Sequence, residues 1–241
     1  MPISQLFSNP LAFLLRLLFL LPVILISLTL HELAHGFIAY KLGDSTAKYM
    51  GRLSLNPLHH VDPFGLIALL FVGFGWAKPV QVDPRNLRKP KRDMALVSLA
   101  GPVTNFLLAF IGMFIYYAIL YFSSDVTILT LQEFFATGKI SGEVTVWGVL
   151  TMFFTFFISV NIGLGIFNLI PIPPLDGSKI LYSFLPNRVL YRILPYERYA
   201  GIALMLLLIF GVLDAPLFYL QDLVSRAFSA LPRLIFFGGG A

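Results

Sequence analysis

The chain is 241 residues long, 58 % hydrophobic and 12 % charged, whereas an ordinary soluble domain carries about a quarter charged residues. This balance excludes a soluble globular protein and defines a membrane protein. The formal net charge is +5, but the basic residues cluster in short loops between apolar spans, where they set topology and meet anionic lipid, so a nucleic-acid partner is excluded. The absence of cysteine removes disulfides and thiolate metal ligands.

In chain order, residues 17–40 form the first predicted span, broken only by His31, Glu32 and His35. The apolar run continues through these residues and no small-residue cleavage pattern closes it, so it reads as a retained span and not a signal peptide. Residues 63–79, PFGLIALLFVGFGWAKP, hold an apolar part (64–77) interrupted by Gly65, Gly73 and Gly75. As a helix it would measure about 21 Å, short for a hydrocarbon core of about 30 Å. It reads as re-entrant, with a glycine-rich hairpin at the interface as the competing reading. Broken backbone at membrane depth needs protein or a wet cavity to satisfy its amides, which points to an internal site beside it.

Residues 94–124 and 144–175 contain no Asp, Glu, Lys or Arg, and each exceeds the roughly 20 apolar residues a crossing helix needs. The loop before them, 78–93, holds six Lys or Arg against two Asp; 123–146 holds one Lys against Asp125, Glu133 and Glu143; 171–198 holds four basic residues against two acidic ones. The positive-inside rule places the first and third of these loops in the cytoplasm and the second opposite. Residues 199–220 form a fourth predicted span with Asp214 as its single charge. Asp214 could mark a proton path, but an end of the span or a division into two shorter helices is the preferred reading. The tail, 223–241, mixes apolar residues with Arg226 and Arg233 and suits a helix lying along the interface. Without repeats or linkers, residues 1–241 form a single membrane-embedded domain. The expected fold is all-α and polytopic: about four transmembrane helices, a re-entrant membrane segment and room for an interfacial C-terminal helix.

The chemistry concentrates at His31-Glu32-Leu33-Ala34-His35. On a helix, imidazoles four residues apart share one face within reach of one metal ion, with Glu32 adjacent. This spacing is a zinc pair with its base: zinc lowers the pKa of a water to about 7, and Glu32 can take its proton for attack on a peptide carbonyl. Chance occurrence is disfavoured, because three ionisable groups in an apolar helix need partners and a cavity. A third ligand is needed. The extended pattern HExxHxxGxxH fails, since Lys41 stands where its last His would be. Glu133 and Glu143 lie in the far-side loop, whereas Asp176, in NLIPIPPLDGSK, follows an inward-running span. Pro171, Pro173 and Pro174 hold that stretch extended and Asp176-Gly177 suits a turn. His31, His35 and Asp176 can meet only if 64–77 returns to its own side, so the metal site and the re-entrant segment stand together. Asn168, in the last turn of the same span, can donate to an oxyanion, or cap loose carbonyls or bond another span.

Together, HELAH at 31–35 and NLIPIPPLDG at 168–177 resemble the site-2 protease family of intramembrane zinc metalloproteases. The intervening GRLSLNPLHHVDPFG, GWAKPVQV and AGPVTN stretches extend the likeness over roughly residues 17–185. The resemblance implies His31, His35 and Asp176 as ligands of one Zn2+, Glu32 as catalytic acid and base, and Asn168 as a helper near the scissile carbonyl. It also implies a small form without PDZ or CBS domains, in a prokaryotic plasma membrane, with the active site toward the cytoplasmic side. The substrate would be a transmembrane protein or peptide cut within or beside its membrane segment after local unwinding. Residues 71–82, around Trp76, could offer it a strand edge.

His59, His60 and Asp62 sit in a turn-rich loop, where satisfying backbone groups or supporting the first site outweighs a separate metal. Gly101, Pro102 and Asn105 read as packing, with the glycine allowing close helix approach and Asn105 bonding across helices. Two other function classes compete with the peptidase. An ion transporter of this length would show repeated halves or several ionisable residues along a route; a non-catalytic scaffold gives no reason for Glu32 beside a ligand set.

Overall fold

The computed structural model describes residues 9–72, 75–123 and 145–238; Glu133 and Glu143 lie outside them. In order come α1 (Pro10–Lys41), a short α2 (Thr46–Tyr49), the re-entrant α3 (Pro63–Val72), α4 (Pro90–Phe122) and α5 (Val146–Asn168), and α1, α4 and α5 are the three long helices of this part of the chain. Asn9 caps α1, its side chain accepting from the Ala12 amide, and Pro10 opens the first turn, where a missing N–H costs nothing. Pro90 does the same for α4, and the buried Asp93 reaches back to the Lys89 amide at 2.8 Å.

Each of the three is long and apolar enough to cross a bilayer, yet only 28 % of the apolar window of α1 and of α4, and 44 % of that of α5, is covered by protein. Lipid must cover the rest, and Leu14, Leu18, Leu107 and Ile111 point outward accordingly. Helix α4 lies between the other two. It runs antiparallel to α1, since His31 meets Asn105 and His35 meets Val97, and antiparallel to α5 through a core of Ala109, Met113, Ile158, Ile162 and Ile166. Small residues set the spacing: a Cβ on Gly112 would stand 2.9 Å from the Phe157 ring, and one on Gly165 2.8 Å from that of Phe106.

Between α1 and α4 the chain makes an excursion that returns. Val61 pairs antiparallel with Ala77, and the Lys78 amide donates to the His60 carbonyl at 2.9 Å. Asp62 caps the start of α3 by accepting from the Gly65 amide at 2.8 Å, and Gly65 lies so close against the Trp76 backbone that no Cβ would fit. The ten-residue α3 carries Phe71 down to the Phe13 ring at 5.7 Å. A segment whose feet are paired and whose helix carries Phe71 to the N-terminal part of α1 is re-entrant. The expected parity follows: the C-terminal ends of α1 and α5 and the start of α4 share one face.

The loop on that face is organised by Asp44, which is fully buried. It accepts from the Thr46 amide at 3.0 Å and hydroxyl at 2.5 Å, the Asn86 amide group at 3.0 Å and the Asp83 amide at 2.8 Å. Burial acts to raise its carboxyl, but the bonds from Thr46, Asn86 and Asp83 bring it below the ordinary carboxylate range. Its folded value therefore lies below the unfolded one, so the stabilisation is complete above about pH 4 and is lost as pH falls through the folded value. Asp44→Ala is expected to cost about 2–3 kcal/mol at neutral pH. The gap to the unmodified protein should narrow as pH falls below about 4, as read by thermal unfolding in detergent.

After α5 come α6 (Asp176–Phe184), α7 (Asn187–Ile193), α8 (Glu197–Ile209) and α9 (Asp214–Phe237). The predicted 199–220 span is divided: the stretch Asn187–Ile209, which ends in α8, and α9 bend by 83° at the break, where Gly211 takes φ +69° and Asp214 begins the second helix. The tail forms the rest of α9 and packs along α4, Phe228 against Phe106 and Phe110, and Phe237 against Tyr117 and Tyr121.

Candidate metal centre

Ser27, His31 and His35 recur every fourth residue along α1 and all three are buried, the two histidines against α4 and Ser27 against Asn161 of α5. By helix rise, His35 lies about 9 Å and His31 about 15 Å from the end of α1 at Lys41, below the face that carries the basic loops. Asp176 reaches them from the other side. The chain leaves α5 at Leu169, turns through the proline-rich stretch and starts α6 at Asp176. A helix start, and not the expected turn, therefore presents the carboxylate, whose charge suits that end of a helix. Gly177 is required because a Cβ there would collide with the Leu169 and Ile170 carbonyls ending α5.

Three donor atoms converge. His31 Nε2 and His35 Nε2 are 3.0 Å apart, and Asp176 Oδ2 lies 3.2 Å from the first and 3.1 Å from the second. The edge of a tetrahedron around zinc with bonds of about 2.0–2.1 Å is about 3.3–3.4 Å, so the triangle fits that ion to within a few tenths of an ångström. The protons reinforce the fit. His35 Nδ1 lies 2.7 Å from the Val97 carbonyl, an acceptor only, and His31 Nδ1 lies 2.5 Å from Asn105 Oδ1. With both imidazoles protonated at Nδ1, two Nε2 lone pairs and a carboxylate oxygen face one another with no hydrogen between them. A cation is the natural resolution of three converging acceptors. Gly101 faces this point from α4: a Cβ there would stand 2.5 Å from His31 Cε1 and 2.6 Å from its Nε2.

Glu32 is buried beside the triad, and its Oε2 accepts from the Val80 amide at 2.8 Å. The extended segment returning from the re-entrant excursion thus fixes the carboxylate. Asn168 gives its amide to the Leu164 carbonyl, one turn back in its own helix, at 3.0 Å. His59 and His60 satisfy the Gly51 and Ser54 carbonyls and Asp62 caps α3. Among the described residues, the group able to hold a metal is His31, His35 and Asp176, with donors within 4.8 Å of one another. Sequence reasoning did not single out Asn161, Ser27 or the Val80 amide. A polar amide buried within an uncharged span was the available signal for Asn161.

A helical membrane protein with a buried, cation-seeking triad of two imidazoles and a carboxylate belongs to the membrane metallohydrolases as a class. The model of peptidase family M50 matches residues 19–213, and the chain belongs to that family, the site-2 protease type of the resemblance. Membership makes it a metallopeptidase, and zinc is the family's metal. Among its relatives is a Bacillus subtilis (strain 168) protein provisionally named zinc metalloprotease YwhC, 42 % identical over 191 residues, covering 79 % of this chain and 80 % of that one. Another is a Mycolicibacterium smegmatis protein provisionally named zinc metalloprotease Rip2, 31 % identical over 198 residues, covering 79 % of this chain and 66 % of the relative. The Rip2 of Mycobacterium tuberculosis (strain H37Rv) is 28 % identical over 196 residues, with the same coverage. No solved structure is a significant match.

Proposed function

We propose that this chain, as one membrane-embedded domain over residues 1–241, hydrolyses peptide bonds within or next to transmembrane segments of membrane proteins. His31, His35 and Asp176 hold one Zn2+, which when bound acidifies a water and polarises the scissile carbonyl. The observation that carries this reading is the triangle of acceptors with edges of 3.0–3.2 Å. Glu32 takes the proton from the attacking water and returns it to the leaving amine. The Val80 amide keeps the Glu32 carboxylate aimed during both transfers. Asn168 supplies a donor to the developing oxyanion once its side chain rotates away from Leu164.

The substrate has to lose its own helical hydrogen bonds before its carbonyl is accessible. The stretch around Trp76, which is half exposed and lies next to the Val61–Ala77 bridge, offers extended backbone for that purpose. The basic loops support a site toward the cytoplasm, and the bacterial relatives favour a prokaryotic plasma membrane. The test is co-reconstitution in liposomes with a single-span membrane protein and mapping of the cut by mass spectrometry, with Glu32→Gln as control. A zinc-dependent cut inside or beside the span supports the reading. Cleavage of soluble chains alone, or ion flux without cleavage, overturns it.

A further inference from the structure

Resting on the zinc-site reading above, we infer that Asn105 is a positioning residue that sets the His31 tautomer and is itself set by Asn161, through a hydrogen-bond relay anchored on the backbone of α5. The relay can be read in one direction only. Asn161 Nδ2 donates to the Phe157 carbonyl at 2.8 Å and to Ser27 Oγ at 2.8 Å. Because a backbone carbonyl can only accept, the amide nitrogen of Asn161 must point there, and its Oδ1 must point away. That Oδ1 faces Asn105, which therefore donates with Nδ2, at 2.8 Å. Asn105 is then left with Oδ1 toward His31, so the His31 proton is on Nδ1 and the lone pair on Nε2 faces Asp176 and His35.

Asn105, Asn161 and Ser27 are all completely buried, so water does not compete with these choices. Three amide or hydroxyl groups at that depth are costly unless fully paired, and here they join α1, α4 and α5 at the level of the metal site. The same face of α4 serves the second imidazole. Pro102 has no N–H to give the carbonyl one turn earlier, and its ring crowds that turn; nearby, the Val97 carbonyl accepts from His35 Nδ1. One stripe of α4, Val97, Gly101 and Asn105 at four-residue intervals, thus orients both imidazoles and leaves the space between them.

The test is zinc affinity of the purified full chain by chelator competition, together with thermal unfolding of the zinc-free form. Asn105→Leu should weaken zinc binding about 10–100-fold. Asn105→Asp, which keeps an acceptor for His31 but loses the donor to Asn161, should lose clearly less affinity than Asn105→Leu, and Asn161→Leu should also lose less than Asn105→Leu. The Asn105→Leu/Asn161→Leu double variant should bind no more weakly than Asn105→Leu alone, because Asn161 acts through Asn105. Asp176→Ala, measured in parallel, should lose zinc. Loss there with unchanged affinity in Asn105→Leu, with equal losses in Asn105→Leu and Asn105→Asp, or with additive losses in the double variant, overturns the relay and leaves Asn105 as interhelical packing. Retention of zinc by Asp176→Ala overturns the site reading itself.

Discussion

Gly101→Ala is expected to strip the protein of zinc while leaving its helices in place. The added methyl would crowd His31 and come closer still to His35. Neither ring can move aside without surrendering its Nδ1 bond to Asn105 or Val97. The methyl thus competes for the space that an ion bonded to both Nε2 atoms must use. Helix propensity acts in the opposite direction, since alanine is favoured over glycine within a helix by about 1 kcal/mol. A packing defect and a blocked metal site are therefore separable. Zinc affinity should fall at least about 100-fold, the upper range for losses at metal sites, with thermal stability of the zinc-free form little changed. Full occupancy in Gly101→Ala would show that the triad's centre lies elsewhere.

Glu32→Gln separates chemistry from binding. Glutamine retains an oxygen that can accept from the Val80 amide, so the geometry around residue 32 should persist, but it cannot take up a proton. Turnover should fall by about 10²–10⁴-fold, the usual contribution of a positioned base, while the zinc content remains that of the unmodified protein. A transported ion bound at this position would give the reverse pattern, with altered binding or flux and no cleavage in either form.

Much of this was legible in the sequence because the cost of charge in lipid makes functional groups conspicuous. His31, Glu32 and His35 interrupt an otherwise apolar span, and Asp176 follows the end of another, so residue type and topology together select them. The re-entrant segment was legible from its insufficient length and its glycines, and the structure adds the reason for Gly65, the backbone of Trp76 lying against it. Other features were hidden for physical reasons. Asn161 carries no charge and sits in a span read for charge alone, and its importance depends on Asn105 being across from it, which no spacing along one chain reveals. Gly101 reads as a close helix approach; what it approaches is a pair of imidazoles. The division of 199–220 into α8 and α9 was foreshadowed by Asp214, but hydropathy is continuous across it and the 83° bend reflects backbone at Gly211. Asn168 is named by its place in the motif, yet its amide is held by Leu164 in this structure, so the proposed oxyanion role depends on a side-chain rotation that sequence does not register.

The central claim is that two imidazoles from α1 and one carboxylate from the start of α6 grip a single cation. It is tested most directly by zinc stoichiometry in the purified full-length protein and in its Asp176→Ala variant, at equal helicity. The account predicts one zinc per chain in the former and essentially none in the latter; equal zinc in both would contradict it.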